Sequence, residues 1–199
     1  MKLPRCYLVI DDVQWLHRLL PLGLKLVQLR IKTPASPAWL REQIRQAKQL
    51  CDAHQALLVV NDHWQFAIDE QCDWVHLGQE DLQRADMAAI RRAGLKLGVS
   101  THSHAELECA LAVSPDYVAL GPIWATTSKQ MPWKPQGLER ITDWKQRVGA
   151  IPLVAIGGLT IERAPAALQA GADSLAMISD VCRHPQPEQR LQAWLAVTS

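Results

Sequence analysis

The stretch Val27–Lys32, VQLRIK, alternates apolar and polar side chains, the pattern of a β-strand with two different faces. Gln28, Arg30 and Lys32 share one of these faces, and the apolar residues share the other. Two of the three polar side chains are cations, and no acidic residue lies near them in sequence. Such a face must meet either water or an anion. The stretch therefore predicts a strand with one apolar and one cationic face, and by itself it leaves both partners of the cationic face open.

Similar short apolar runs recur along the whole chain, each followed by a polar turn and a helical pattern. One of the helical segments opens at Ser36-Pro37 and places apolar side chains on one face. Eight such units favour a closed (β/α)8 TIM barrel, an α/β fold, formed by residues 1–199 as a single domain. A doubly wound open sheet is the alternative, but no G-x-G-x-x-G follows the first strand. The eight predicted strands are CYLVI (6–10), KLVQLR (25–30), ALLVVN (56–61), WVHL (74–77), KLGVS (96–100), YVAL (117–120), PLVAI (152–156) and SLAMI (174–178).

Composition excludes several classes of function. The formal charge of the 199 residues is +1, so no basic surface for nucleic acid is expected. The five scattered cysteines form no C-x-x-C pair, which predicts reduced packing residues. No apolar run reaches the roughly 18 residues of a membrane helix, and the N-terminal run is too short for a secretory signal. We therefore expect a cytoplasmic protein that does not bind membranes.

Carboxylates follow two neighbouring predicted strands, where a TIM barrel carries its chemistry. Asp62 follows the third strand directly, and Asp81 follows the fourth. Two carboxylates with positions left for water and phosphate oxygens suit Mg²⁺ better than zinc. The alternative is that each carboxylate caps the helix after its own strand.

Cations and glycines at the same end of the barrel predict two anion sites. Arg30, Lys32 and Lys129 could hold a diphosphate together with Asn61 and Mg²⁺. Gly157-Gly158 after the seventh strand and Ile178-Ser179 after the eighth match the usual phosphate site of such barrels. Ordinary surface cations and ordinary turns are the alternatives. They explain single residues better than the concentration of all of them at one end.

The motifs resemble the thiamine-phosphate synthase family along nearly the whole chain. VQLRIK, VNDHWQFA, VHLGQEDL, LGVSTH, YVALGPIWATTSKQMPWKPQGL, AIGGLT and AMIS occur in the order and at the spacing of that family. The resemblance implies condensation of 4-amino-2-methyl-5-(diphosphooxymethyl)pyrimidine with a thiazole phosphate, with release of pyrophosphate. It also implies that a carboxylated thiazole loses carbon dioxide.

The resemblance further implies roles for individual residues. Asp62 and Asp81 would hold Mg²⁺, and Arg30, Lys32, Ser100 and Lys129 would be catalytic. The pyrimidine diphosphate would contact Gln28, Leu29, Arg30, Ile31, Lys32, Asn61, Ser100 and Lys129. The thiazole phosphate would contact Thr126, Thr127, Ser128, Gly158, Ile178 and Ser179. Where the family has T-x-T-K, this chain has Thr126-Thr127-Ser128-Lys129, which replaces one threonine by serine.

Three other functions remain open at this point. A thiazole tautomerase of the same superfamily would need the thiazole site but not the whole diphosphate clamp. An aldolase-type barrel would use Lys129 as a Schiff-base nucleophile. A non-catalytic phosphate-ligand sensor would need no metal beside a leaving group. The sequence predicts small-molecule substrates and allows either a monomer or a homodimer.

Overall fold

The computed structural model describes residues 2–126 and 133–199. Eight parallel strands pair in chain order, and β1 pairs with β8 to close the barrel. The prediction of a TIM barrel is confirmed, and the open sheet is excluded. The strands are β1 Cys6–Ile10, β2 Leu26–Leu29, β3 Leu57–Asn61, β4 Trp74–Leu77, β5 Lys96–Thr101, β6 Tyr117–Leu120, β7 Leu153–Ile156 and β8 Ser174–Met177.

Helices follow the strands and cover the outside of the barrel. None of those in the described part of the chain is long and apolar enough to cross a membrane. A short 3-10 turn, Leu20–Leu22, lies between α1 and β2. The helices are α1 Gln14–Leu19, α2 Pro37–Ala53, α3 Trp64–Asp69, α4 Gln79–Arg84, α5 Met87–Arg92, α6 His104–Ala112, α7 Gly137–Val148, α8 Ala164–Gln169, α9 Ser179–Cys182 and α10 Pro187–Val197.

Helix α2 illustrates how local sequence determines an element. The Ser36 hydroxyl accepts a hydrogen bond from the Trp39 main-chain N–H at 3.1 Å and so caps the helix. Proline in the first turn needs no hydrogen-bond partner for its nitrogen, so it favours this start. The buried face carries the apolar side chains of the predicted helical segment, which are Leu40, Ile44, Ala47 and Cys51. These side chains pack against the outside of the barrel.

Each strand is buried on both faces, which explains the nearly continuous apolar runs of the sequence. In β1, Cys6, Leu8 and Ile10 join the large core between strands and helices. Tyr7 and Val9 point the other way, into the smaller core inside the barrel. The barrel interior thus receives every second residue of a strand.

The strand register brings four interior positions to one level. Asn61 pairs with His76, His76 with Gly98, and Gly98 with Tyr117 along strands β3 to β6. Gly98 has no side chain to fill this level, and the Tyr117 ring occupies the space. These four positions therefore form the floor of the predicted site.

Candidate active site

A cavity of about 670 Å³ opens at the carboxyl ends of the strands. Its size is that of an ordinary small-molecule site. It gathers most of the residues that the sequence predicted to act together, and these come from β2 to β8 or from the loops after them. Those lining it are Gln28, Arg30, Lys32, Asn61, Asp62, Asp81, Ser100, Thr126, Gly158, Ile178 and Ser179.

Two predicted residues of the described chain, Leu29 and Ile31, do not line this cavity. Leu29 and Ile31 belong to the core between strands and helices, where their side chains are 2% and 5% exposed. A ligand in the cavity could meet these two residues only through their main chain. Thr127, Ser128 and Lys129 lie outside the described residues.

A pair of carboxylates lies beside a cation at one side of the cavity. Lys32 forms an ion pair with Asp62 and donates a hydrogen bond to its carboxylate. The Asp62 side chain is 14% exposed. The Asp62 backbone has φ 62°, a left-handed conformation that Asp adopts more readily than most residues. Burial, and then the nearby charge of Asp62, raise the pKa of Asp81. The two carboxylates therefore face each other closely enough to repel.

This pair fits a bound Mg²⁺. Two mutually repelling carboxylates at the edge of a cavity are a hard-oxygen donor set, and a divalent cation between them would remove the repulsion. Within residues 2–126 and 133–199, no cluster of three or more His, Cys, Asp or Glu side chains could hold a metal. The described chain thus offers two carboxylates, and Mg²⁺ commonly takes its other ligands from water and substrate phosphates.

Asn61 ends β3 inside the cavity with an unsatisfied donor. Its side chain is 4% exposed, and among the described residues its Nδ2 has no hydrogen-bond partner. A buried amide without a partner costs about 1–3 kcal/mol. A ligand acceptor in the cavity would remove that cost, so this donor is placed for a ligand.

A chain of hydrogen bonds crosses the barrel interior beneath the cavity. Gln28 Nε2 donates to Tyr7 Oη at 2.8 Å, and Tyr7 Oη lies 2.9 Å from Tyr117 Oη. His76 Nδ1 lies 2.7 Å from Tyr117 Oη, and His76 Nε2 lies 2.7 Å from Ser100 Oγ. Burial lowers the pKa of His76 to about 4, with opposing contributions from Asp62 and from the cations Arg30 and Lys32. Burial raises the pKa of both tyrosines.

The Gly157-Gly158 turn shapes the opposite side of the cavity. Both glycines have left-handed backbones, with φ of 100° and 63°. The Gly157 carbonyl accepts from the Trp124 N–H at 3.0 Å, and the Gly158 carbonyl accepts from Arg163 at 2.5 Å. Each of these carbonyls shares a peptide unit with the N–H of the next residue, Gly158 or Leu159. In a trans peptide the N–H points opposite to the carbonyl, so these two N–H groups point away from Trp124 and Arg163. No described residue accepts from them, and both residues line the cavity.

Two tryptophans of the segment after β6 have different roles. Trp124 packs against the core, and the Arg163 guanidinium lies 5.1 Å from the centre of its ring. Trp133 lines the cavity and stacks on His102 with ring centroids 5.4 Å apart. Glu106 accepts from both the main-chain N–H and Nδ1 of His102 at 2.7 Å and fixes that ring.

Sequence reasoning missed the two tyrosines, Tyr7 and Tyr117. It also did not identify the partners of His76, which lines the cavity and is hydrogen-bonded through both ring nitrogens. A usable signal existed: Tyr7 is the one polar side chain within the apolar run CYLVI apart from its cysteine. Its partner Tyr117 lies 110 residues away, a pairing that no local pattern indicates.

The fold and this cavity define a class: TIM-barrel enzymes that act on small phosphorylated ligands at the carboxyl ends of the strands. The family model of thiamine monophosphate synthase, TMP-TENI, matches residues 6–181. The chain belongs to this family.

Individual relatives agree with this assignment. The chain is 60% identical over 199 residues to thiamine-phosphate synthase of Rhizobium etli, covering all of this chain and 97% of that protein. It is 49% identical over 179 residues to the thiamine-phosphate synthase of Cronobacter sakazakii, covering 90% and 85% of the two chains. The solved structure of thiamine phosphate pyrophosphorylase from Pyrococcus furiosus superposes with a TM-score of 0.87 at 27% identity. That superposition covers 98% of this chain and 95% of the other.

Proposed function

We propose that residues 1–199 form one catalytic domain that joins 4-amino-2-methyl-5-(diphosphooxymethyl)pyrimidine to a thiazole phosphate. The product is thiamine phosphate, and pyrophosphate is released. The chain is a thiamine-phosphate synthase, a transferase of thiamine biosynthesis. The alternatives, a tautomerase, a Schiff-base aldolase and a sensor, are not favoured. The observation that supports the proposed site best is the buried Asn61 Nδ2, which has no partner within residues 2–126 and 133–199, beside the Asp62/Asp81 pair.

The diphosphate would lie at the side of the cavity that carries Arg30, Lys32 and Asn61. Cations and a neutral donor there would bind its oxygens and stabilise the charge that grows as it leaves. Asp62 and Asp81 would hold Mg²⁺, which supplies further positive charge to the leaving group. Lys129 would be the third cation of this set, as the sequence predicts. The protein thus contributes mainly electrostatics and positioning.

The reaction is a dissociative substitution at the exocyclic methylene carbon of the pyrimidine. The bond between this carbon and the diphosphate oxygen breaks, and the oxygen keeps the electron pair. Gln28 and Ser100 would hold the ring, whose amino group delocalises the positive charge. The thiazole nitrogen then donates its electron pair to form the new carbon–nitrogen bond. A carboxylated thiazole also loses carbon dioxide.

The thiazole phosphate would occupy the other side of the cavity. The N–H groups of Gly158 and Leu159 would bind its oxygens, together with Ile178 and Ser179 at the start of α9, and with Thr126, Thr127 and Ser128. Holding both substrates in one cavity replaces an encounter in solution by a reaction between neighbours, which lowers the barrier entropically. We further propose a cytoplasmic enzyme that can act as a monomer or a homodimer.

The test is to incubate the purified protein with both substrates, with Mg²⁺ or with EDTA, and to measure thiamine phosphate by thiochrome fluorescence. Product that forms only with the metal supports the reaction and the metal site together. Product in both tubes contradicts the role of Asp62 and Asp81. No product in either tube contradicts the synthase function, and retained binding of the thiazole phosphate alone would then favour the tautomerase.

A further inference from the structure

The hydrogen-bond chain inside the barrel links the two residues that are proposed to hold the pyrimidine ring. Gln28 is at one end, Ser100 is at the other, and Tyr7, Tyr117 and His76 lie between them. The three middle residues are 1%, 0% and 7% exposed. Water therefore cannot readily exchange with these bonds, and each proton must be shared within the chain.

With Nε2 of Gln28 directed at Tyr7, as in the structure, counting donors and acceptors gives the direction of every other bond. Gln28 Nε2 can only donate, so Tyr7 accepts from it and the Tyr7 proton must go to Tyr117. The Tyr117 proton then has one acceptor left in the chain, His76 Nδ1. His76 is therefore neutral with its proton on Nε2, and this nitrogen donates to Ser100 Oγ. The Ser100 proton remains for a partner in the cavity.

One other arrangement satisfies the same bonds, with every direction reversed. If the Gln28 amide turned over, its oxygen would accept from Tyr7, and the reversal would pass through Tyr117 to His76. Ser100 would then have to donate to His76 Nε2 and could offer the cavity only lone pairs. The first arrangement excludes a doubly protonated His76, because the Tyr117 proton would then have no acceptor. The hydrogen-bonding characters of Gln28 and Ser100 are thus coupled.

The position of Arg30 favours the first arrangement. Arg30 follows Gln28 by two residues and lines the same cavity, so the two side chains share a face. The Gln28 oxygen facing the cavity is attracted by this cation, whereas an amide N–H facing it would be repelled. In this arrangement the site offers an acceptor at Gln28 and a donor at Ser100.

We propose that the chain from Gln28 through Tyr7, Tyr117 and His76 to Ser100 is a specificity determinant that selects an aminopyrimidine edge. A 4-aminopyrimidine presents an amino donor next to a ring-nitrogen acceptor, which complements an acceptor and a donor held in fixed directions. The 4-oxo analogue presents a carbonyl next to an N–H, the opposite pattern. Tyr7, Tyr117 and His76 are positioning residues that act through Gln28 and Ser100. This inference rests on the proposed function for the identity of the ring.

The kinetic test compares the 4-amino substrate with its 4-oxo analogue by pyrophosphate release in the presence of the thiazole phosphate. In Tyr117→Phe we expect the ratio of the two kcat/KM values to fall by about tenfold, since about 1.4 kcal/mol corresponds to tenfold and one buried bond is worth about that much. KM for the thiazole phosphate should stay within about twofold. The control is Ser174→Ala, which also removes a buried hydroxyl bond, 2.7 Å from Pro4 O, at the start of β8. A ratio in Tyr117→Phe that stays as close to wild type as in the control overturns the proposal.

A second test needs no turnover. Long-range ¹⁵N–¹H NMR of the ligand-free protein distinguishes the tautomers of a neutral imidazole, and comparison with His76→Gln identifies the signal. We expect His76 at pH 7.5 to be neutral with its proton on Nε2. An imidazolium, or a proton on Nδ1, overturns the assigned directions. If the wild-type protein releases no pyrophosphate from the amino substrate, the proposed function fails, while this measurement still decides the polarity of the chain.

Discussion

The ring of Tyr117 occupies the space that a side chain on Gly98 would need. A methyl group at Gly98 would lie 2.0 Å from Cζ of Tyr117 and 2.4 Å from its hydroxyl oxygen. Neither strand can move without breaking the ladder between β5 and β6. The absence of a Cβ at Gly98 therefore leaves the space that the Tyr117 ring occupies. Only because of this space can the ring reach Tyr7 and His76.

We expect Gly98→Ala to destabilise the protein by about 3 kcal/mol or more, because overpacking a rigid interior forces side chains or backbone to move. Equilibrium urea unfolding measures this change. The matched control is Gly78→Ala, at φ −76°, where the nearest atom would be 3.5 Å away. The control should cost less than about 1 kcal/mol. Equal losses in the two variants would contradict the close packing of Tyr117 on Gly98.

Asp62→Asn should reduce kcat by about a hundredfold while KM for the thiazole phosphate changes less than about threefold. The physical reason is that the metal and Lys32 would lose a charged partner, and about 2.7 kcal/mol of barrier corresponds to a hundredfold in rate. Steady-state kinetics at saturating Mg²⁺ measures both constants. Asp69→Asn is the control, since Asp69 pairs with Arg41 on the surface. Near-normal turnover in Asp62→Asn would contradict the metal-site proposal.

The variant Asn61→Ala should weaken binding of the pyrimidine diphosphate without a large loss of stability. The wild-type Nδ2 is buried without a partner in the described part of the chain, and relief of that cost offsets the cavity left by truncation, so the variant should not lower the free energy of unfolding of the ligand-free protein by more than about 1 kcal/mol. The KM for the pyrimidine diphosphate should rise about tenfold, because a donor to the ligand is lost. Urea unfolding and initial rates provide the two values. A large loss of stability with an unchanged KM would identify Asn61 as a structural residue.

Protonation of His76 should make the fold acid-sensitive. Burial lowers its pKa from the usual value of about 6.5 to about 4. The folded protein therefore holds this group neutral, while the unfolded chain takes up a proton below pH 6.5. Stability from this source is complete above pH 6.5 and declines as the pH falls toward 4, by about 3 kcal/mol in total. Urea midpoints measured from pH 7.5 to pH 4 should decline less in His76→Gln than in wild type, and parallel declines would contradict the assignment.

Arg163 should affect the thiazole phosphate more than the pyrimidine diphosphate. Its guanidinium binds the Gly158 carbonyl and lies over Trp124, which together orient the glycine turn. In Arg163→Gln we expect KM for the thiazole phosphate to rise about threefold to tenfold, as for the loss of one charge-assisted bond at a partly exposed site. Arg140→Gln is the control, because Arg140 lies 5.0 Å over Trp144 away from the cavity. Equal effects in both variants would exclude a specific role for Arg163.

Much of the fold could be predicted because its signals are local. The run CYLVI and the capped face of α2 are determined by spacing over a few residues, and the strand ends follow from the same pattern. Placing Asp62, Asp81 and Arg30 at one site needed only one further rule, that parallel strands of a barrel present their carboxyl ends together. The outward side chains of Leu29 and Ile31 follow from alternation, although the family resemblance grouped them with the ligand contacts.

The sequence by itself determined the eight strand–helix units, the chemistry at the strand ends and the family, because each depends on residue type at short spacing. Only the tertiary structure decided which interior groups meet. Closure of the barrel brings Tyr117 to Tyr7 across 110 residues of sequence and to His76 across 41. These contacts depend on strand register and on the empty position at Gly98, which are properties of the closed barrel as a whole. The proposed coupling of Gln28 to Ser100 therefore depends on the closed barrel.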